Sequence, residues 1–307
     1  MIDKGVLVQT IKIAPNRVLT YSEYGNKNAK PLFVCHGLNS SRLEAKIIHS
    51  LIDSSDFRII GIDRPGMGGS SFQKKRTVLD FVDDIVYVAD ILNIDMFTVI
   101  GTSAGAAYAL ACTYRIPKRL VSCHIVSGLG AIEESFNYLS NENKNFIAMT
   151  KKYPWFIQPV FWLLMGRYSQ NEKRSDKFLA SVIASLDQVD KISLDEPTIR
   201  SLFIESFREA YINGSKGVAY DSILSYAKDW GFHLKEIQFN NIFIYNGGKD
   251  MSIPLQMGKN INALIRNSKY RVYENEGHLS IVINQIADIK EDITMCWNQS
   301  FKWVLTR

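Results

Sequence analysis

Short apolar runs alternate with amphipathic segments through both ends of this chain, and that alternation leaves few folds open. Leu32 to Cys35, Phe57 to Ile62, Phe97 to Ile100 and Leu120 to Val126 read as strands. Between them, Ser41 to Ile52, Val78 to Leu92 and Ala104 to Tyr114 carry helical spacing. Apolar strands that each lead into a helix predict a parallel sheet covered by helices on both faces. Ahead of them, Val6 to Ile13 and Val18 to Tyr24 predict two more strands, turned at Pro15-Asn16. The rhythm breaks after about Gly130, and residues 131 to 230 carry helical runs and aromatics without a strand ladder. It resumes with a strand at Asn241 to Tyr245, a helix at Pro254 to Ile265, a strand at Lys269 to Tyr273 and a terminal helix from about Ile281. The expected fold class is α/β, with a mostly parallel twisted sheet. Residues 1–130 and 231–307 supply one core, and 131–230 supply a helical cap inserted into it.

Composition excludes several functions. The 36 Lys and Arg against 31 Asp and Glu give a net charge of +5, but the basic residues do not form the focused stripe that nucleic-acid binding requires. Cys35, Cys112, Cys123 and Cys296 are scattered without a C-x-x-C pair, Cys35 and Cys123 in apolar runs and Cys112 in an Ala-rich one, as buried free thiols in a reducing compartment would be. No clustered Cys or His predicts zinc. Met1 to Gly5 leads into a strand and not into a leader's apolar block, and no run reaches the ~18 apolar residues of a membrane span. A cytoplasmic protein is expected. Its partner should be a small-molecule substrate, without nucleic acid, stable membrane insertion or a cofactor; the oligomeric state stays open.

Gly101-Thr102-Ser103-Ala104-Gly105 lies between a strand and a small-residue helix. That setting lets a strained turn present Ser103 at the carboxyl end of the sheet, beside a helix N-terminus that favours developing negative charge. A serine needs a base, and the base needs a carboxylate to orient it. With the nucleophile on such a turn, the acid and then the histidine follow it along the chain. His124 lies in an apolar strand, and His233 precedes a strand at the wrong edge. His278, in the loop after Lys269 to Tyr273, is the expected base. Asp250, closing the glycine-rich turn Asn246-Gly247-Gly248-Lys249, is the expected acid, with Glu133 or Glu134 as its rival. The expected oxyanion donors are the backbone N–H groups of Ala104 and of Leu38, where Gly37 would permit close backbone approach. His36 is expected to brace that loop.

These blocks resemble the α/β-hydrolase family, in its capped, esterase-like branch. The likeness rests on His36-Gly37, Asp63-Arg64-Pro65-Gly66-Met67-Gly68-Gly69-Ser70, Gly101 to Gly105, Gly247-Gly248-Lys249-Asp250 and Gly277-His278, in order along nearly the whole chain. Many relatives carry proline where this chain has Asn39. A serine nucleophile argues against epoxide hydrolase and haloalkane dehalogenase chemistry, and the G-x-S-W-G pattern of proline iminopeptidases is missing. The resemblance implies a serine hydrolase working through an acyl-enzyme and says little of the substrate; a small, hydrophobic carboxylic ester is the expectation once the aromatic insertion is added. An amidase, a carbon–carbon bond hydrolase or a non-catalytic ligand-binding protein are the alternatives. In the insertion, Tyr153 to Met165 is strongly aromatic. It reads as a lid underside that selects a hydrophobic group, as the lid's own packing core, or as a surface touching membranes.

Overall fold

The structure, a computed structural model, describes residues 7–52, 54–132, 136–139, 141–169 and 171–305. The first six residues, and the rival acids Glu133 and Glu134, lie outside them. The strands are β1 (Leu7–Ala14), β2 (Arg17–Gly25), β3 (Lys30–Cys35), β4 (Phe57–Ile62), β5 (Phe97–Thr102), β6 (Leu120–Val126), β7 (Ile242–Gly247) and β8 (Lys269–Tyr273). They form one eight-stranded sheet in the order β1-β2-β4-β3-β5-β6-β7-β8. The pairs β1–β2 and β2–β4 are antiparallel, and every later neighbour is parallel.

Period two sorts the strand side chains between two cores. Phe33, Cys35, Val99, Cys123, Ile125, Ile242 and Ile244 face one of them. They meet α2 (Asp80–Ile91), α3 (Ala106–Arg115) and α10 (Leu255–Leu264) through Phe81, Ile85, Leu110 and Met257. Leu32, Val34, Ile100, Phe243 and Tyr245 face the other. There they meet α1 (Glu44–Leu51) and α12 (Ile286–Leu305) through Ala45, Ile48, Ile289 and Ile293. With both faces covered, β5, β6 and β7 are buried at every position, which is why they read as unbroken apolar runs. The edge strand β8 is mostly half-exposed and correspondingly polar.

Strand β5 runs two residues beyond the expected end at Ile100, because Gly101 and Thr102 still pair with Ile125 and Val126. The following helix starts two residues later than expected. Ser103–Gly105 forms a tight 3-10 turn first.

Between β6 and β7 the described chain is helical. It holds α4 (Asn141–Lys152), α5 (Ile157–Leu164), α6 (Glu172–Ala184), α7 (Gln188–Ser193), α8 (Pro197–Ala210) and α9 (Lys216–Tyr226). A separate core of Ile157, Phe161, Phe207, Tyr211 and Val218 closes on Met67 of the loop after β4. The aromatic stretch divides its roles. Ile157 and Phe161 point into that packing core, whereas Trp155, Phe156, Trp162, Leu163 and Leu164 are exposed.

Candidate active site

Ser103 follows the last residue of β5 with φ +50, the left-handed region that costs an L side chain energy. The turn is held on both sides: the Ser103 carbonyl accepts from Leu129 N–H at 2.9 Å, and Ala106 N–H caps back onto it. A Cβ placed on Gly105 would lie 1.9 Å from the Cys35 carbonyl oxygen and 2.8 Å from that of His36. Glycine at that position therefore lets the end of β3 and its loop press onto the serine turn. Gly37 carries no such requirement, since a Cβ there would meet its neighbours at ordinary distances of 3.7–4.0 Å. The close approach expected of Gly37 is made at Gly105 instead.

The two sequence-predicted oxyanion residues flank the serine. Leu38 lines the cavity into which Ser103 opens, and Ala104 is fully buried directly after Ser103. Among the described residues, no backbone carbonyl or side chain accepts from either N–H. The Leu38 loop is fastened from below. Arg64 Nη1 donates to the His36 carbonyl at 2.5 Å, and Nη2 donates to that of Gly37 at 2.9 Å. His36 itself is fully buried, its Nδ1 2.8 Å from the Gly37 carbonyl oxygen; burial, then the Arg64 cation, push it well below the ordinary histidine value. It braces the loop as a neutral ring.

The loops that carry Asp250 and His278 leave neighbouring strands, β7 and β8, at the same edge of the sheet. Lys249 N–H donates to the Glu276 carbonyl at 2.8 Å, which ties the β7 loop to the β8 loop. Asp250 then does two things. Oδ1 accepts from Ser252 and Ile253 N–H, both at 2.8 Å, and so shapes its own turn. Oδ2 lies 2.8 Å from His278 Nδ1. Burial alone would push Asp250 up and His278 down. Their mutual attraction and hydrogen bond reverse both, holding the carboxyl below and the imidazole above its ordinary value.

Ser103 and His278 line one cavity of about 320 Å³, together with Gly37, Leu38 and Asn39. The serine Oγ makes no direct hydrogen bond to the ring; such contacts commonly tighten only with substrate in place. His124 and His233 stand apart. His124 is fully buried in β6, with Nδ1 3.0 Å from the Tyr245 hydroxyl and Nε2 2.9 Å from Ser122 Oγ. His233 caps the short turn Leu234–Glu236 before β7.

Two carboxylates beside the cavity were not among the expected site residues. Glu44 is buried against the wall, its Oε2 accepting from Gly37 N–H at 2.9 Å and its Oε1 from the Thr102 hydroxyl. Burial raises its pKa, and those two hydrogen bonds hold it back. A signal for it existed, because Glu44 lies three and four residues before the buried Ile47 and Ile48 and so shares their inward helix face. Asp190, in α7, reaches the His278 loop from 88 residues away, and no local pattern marks it. The insertion's apolar lining of the cavity comes from Val182, Leu186, Phe203 and Tyr226, with nothing from Tyr153 to Met165. The expected selecting role of that aromatic stretch is thereby corrected. Among the described residues no group of three His, Cys, Asp or Glu side chains is placed to hold a metal ion, and no helix is long and apolar enough to cross a membrane.

A strand order of this kind, with a strained serine after the fifth strand and helices inserted between the sixth and seventh, defines the α/β-hydrolase fold. The chain belongs to the alpha/beta hydrolase fold family, which it matches over residues 30–285. It is 30% identical over 151 residues to a "Probable proline iminopeptidase" of Leptolyngbya boryana. That match spans 48% of this chain and 41% of the relative, so less than half of the curated relative's length is covered. Among solved structures it resembles a hydrolase from Pseudomonas aeruginosa PA01, with a TM-score of 0.68 at 14% identity over 94% of this chain and 98% of that one. An esterase from Rhodococcus sp. ECU1013 superposes with a TM-score of 0.66 at 13% identity, again over 94% and 98%.

Proposed function

We propose that this chain is a serine hydrolase that cleaves small hydrophobic carboxylic esters through Ser103, His278 and Asp250. The observation that carries the reading is the 2.8 Å contact between His278 Nδ1 and Asp250 Oδ2 at the rim of the cavity that also holds the strained Ser103. A ring so bonded at Nδ1 keeps Nε2 free to take a proton.

In the first half-reaction Ser103 Oγ attacks the ester carbonyl carbon and its proton passes to His278 Nε2. The C=O π pair moves onto oxygen, which the N–H groups of Leu38 and Ala104 stabilise. Asp250 balances the imidazolium. The intermediate collapses with cleavage of the acyl C–O bond, and His278 returns the proton to the leaving alkoxide. Water then repeats the sequence on the acyl-enzyme, releasing acid and regenerating Ser103. The oxyanion donors contribute about 2.7–4 kcal/mol each in enzymes of this type.

Substrate class follows from the lining. Ile47, Ile48, Val182, Leu186, Phe203 and Val282 make the wall beyond Ser103 apolar, which suits an acyl or alcohol group without charge. A cytoplasmic setting belongs to the same proposal, supported by four buried cysteines that are free thiols. A small-molecule substrate, taken without nucleic acid or membrane insertion, also belongs to it.

A fluorophosphonate probe tests the nucleophile. Wild type should label and Ser103→Ala should not, with p-nitrophenyl butyrate hydrolysis falling by roughly 10⁴-fold or more. Labelling that survives the substitution would remove Ser103 from its role. Across p-nitrophenyl esters, rates should fall from butyrate to palmitate. The Leptolyngbya relative favours a second reading, an amide hydrolase, and faster turnover of L-proline p-nitroanilide than of any ester would select it.

A further inference from the structure

Asp190 belongs to the helical insertion, yet its carboxylate is spent entirely on the loop that carries His278. Oδ2 accepts from His278 N–H at 2.9 Å, and Oδ1 accepts from Leu279 N–H at 3.0 Å and Ser280 N–H at 2.8 Å. Those are three consecutive backbone donors at the entrance to α11 (Ser280–Asn284). The carboxylate is 1% exposed. Packing agrees with the bonding. Leu194, Ile183 and Ile199 of the insertion form a buried cluster against Leu279 and Ile283, so the contact around Asp190 is largely dry. The loop is shaped to receive it, because a Cβ on Gly277 would fall 2.4–2.5 Å from the Asp190 carboxylate. Asp250 holds the ring of His278, whereas Asp190 holds its backbone.

We infer that Asp190 is a positioning residue for His278, locking the base loop in its working place from the cap side. This rests on the serine-hydrolase reading for its catalytic consequence, but its structural half does not. The imidazole is faced by three carboxylates: Asp250 from the β7 loop, Asp190 from α7 and Glu44 from α1. Asp250 makes the ring bond, and the other two favour the protonated ring through their charge. Removing Asp190 therefore acts twice. It frees three N–H groups beside the base, and it takes one negative charge away from the ring.

The test uses Asp190→Asn, which keeps the volume and one acceptor oxygen, and Asp190→Ala. Fluorophosphonate labelling rates should fall at least about tenfold in both, since misplacing a catalytic group by 1 Å costs on the order of a hundredfold. KM for p-nitrophenyl butyrate should stay within about twofold, because Asp190 itself does not line the cavity and its apolar wall of Ile47, Ile48, Val182 and Phe203 keeps its place. The His278 titration midpoint, followed by NMR of the imidazole, should move to lower pH in Asp190→Asn. Asp187→Ala supplies the structural control. It removes the N-cap of the same helix, where the Asp187 side chain accepts from Val189 N–H at 3.0 Å, and should lower Tm without slowing labelling. Equal slowing in the Asp187 and Asp190 variants at equal Tm would reduce Asp190 to a helix-stabilising residue and overturn the inference. Should Asp190→Ala fail to fold, Asp190→Asn carries the test. Should wild type take no label, the hydrolase reading fails instead, and an unmoved His278 midpoint in Asp190→Asn then decides against this inference on its own.

Discussion

Two glycines near Ser103 separate what a motif requires from what it merely contains. At Gly105, any side chain would collide with the backbone carbonyl of Cys35, an atom fixed by the parallel pairing of β3 with β5. Gly105→Ala must therefore push the serine turn away from the Leu38 loop, at a cost of about 1–3 kcal/mol, as for other overpacked sites. Thermal denaturation should show that loss, and fluorophosphonate labelling should fall with it. Gly37→Ala should leave Tm unchanged, because its methyl would sit in ordinary van der Waals contact and Gly37 φ is not in the left-handed region. Equal Tm values for the two variants would refute the steric account. The same contrast marks what could be read in advance. The glycines of G-x-S-x-G sit within two residues of Ser103, so the letters mark the turn itself, although the carbonyls that Gly105 accommodates belong to β3 and its loop. Glu44 left a fainter trace, as a carboxylate on an inward helix face. Asp190 left none, since everything it touches is remote in sequence.

Helix α9 and the loop after β4 are joined by a buried charge cluster, and it is the element-scale support of the Leu38 loop. Asp221 accepts from Arg64 Nε at 3.0 Å, from Arg76 Nη2 at 2.6 Å and from the Tyr108 hydroxyl at 2.5 Å, with all three charged side chains fully buried. Burial opposes the charge on Asp221, but the two guanidinium groups hold its carboxyl well below the usual carboxylate range. Arg64 in turn pins the carbonyls of His36 and Gly37. Asp221→Asn is nearly isosteric and leaves two buried cations without a counter-charge. It should cost about 3–5 kcal/mol in chemical denaturation. A loss below about 1 kcal/mol would mean that the cluster is not balanced by Asp221. Sequence patterning reached only part of this level. The strands were legible because burial on both faces leaves uninterrupted apolar runs, as in β6 and β7. The helices between them were legible as helices, but not the direction in which each faces. Tyr153 to Met165 has aromatics on nearly every side, so its periodicity could not say that Trp155 and Trp162 turn outward while Val182 and Phe203 reach the cavity.

Across the whole molecule, His278 on one side and His124 and His36 on the other respond to pH with opposite signs. His278 is held above the ordinary histidine value, so its contribution to stability is complete below that value and is lost as pH rises through the raised one. On the proposed mechanism the same rise frees the imidazole to act as a base, and the acidic limb of kcat/KM should therefore lie above the ordinary histidine value. His124 runs the other way. Burial, then the nearby Lys269, push it down to about 3. Its contribution is present above the ordinary histidine value and is lost as pH falls toward the depressed one, because the unfolded chain takes up a proton that the native ring refuses. Between pH 6.5 and 5 that loss amounts to roughly 2 kcal/mol for one such group. His36, pushed down by burial and by Arg64, adds to it in the same direction. His124→Gln replaces the titrating ring with a neutral group that can still meet Ser122 and Tyr245. The variant should be less stable at pH 7, through lost stacking on Phe243, yet its Tm should drop less than that of wild type between pH 7 and pH 5. Its kcat/KM limb should not move, since His124 lies away from the cavity that Ser103 and His278 share. A Tm profile as steep as that of wild type would show that the acid sensitivity arises elsewhere. A shifted limb would instead tie His124 to the base.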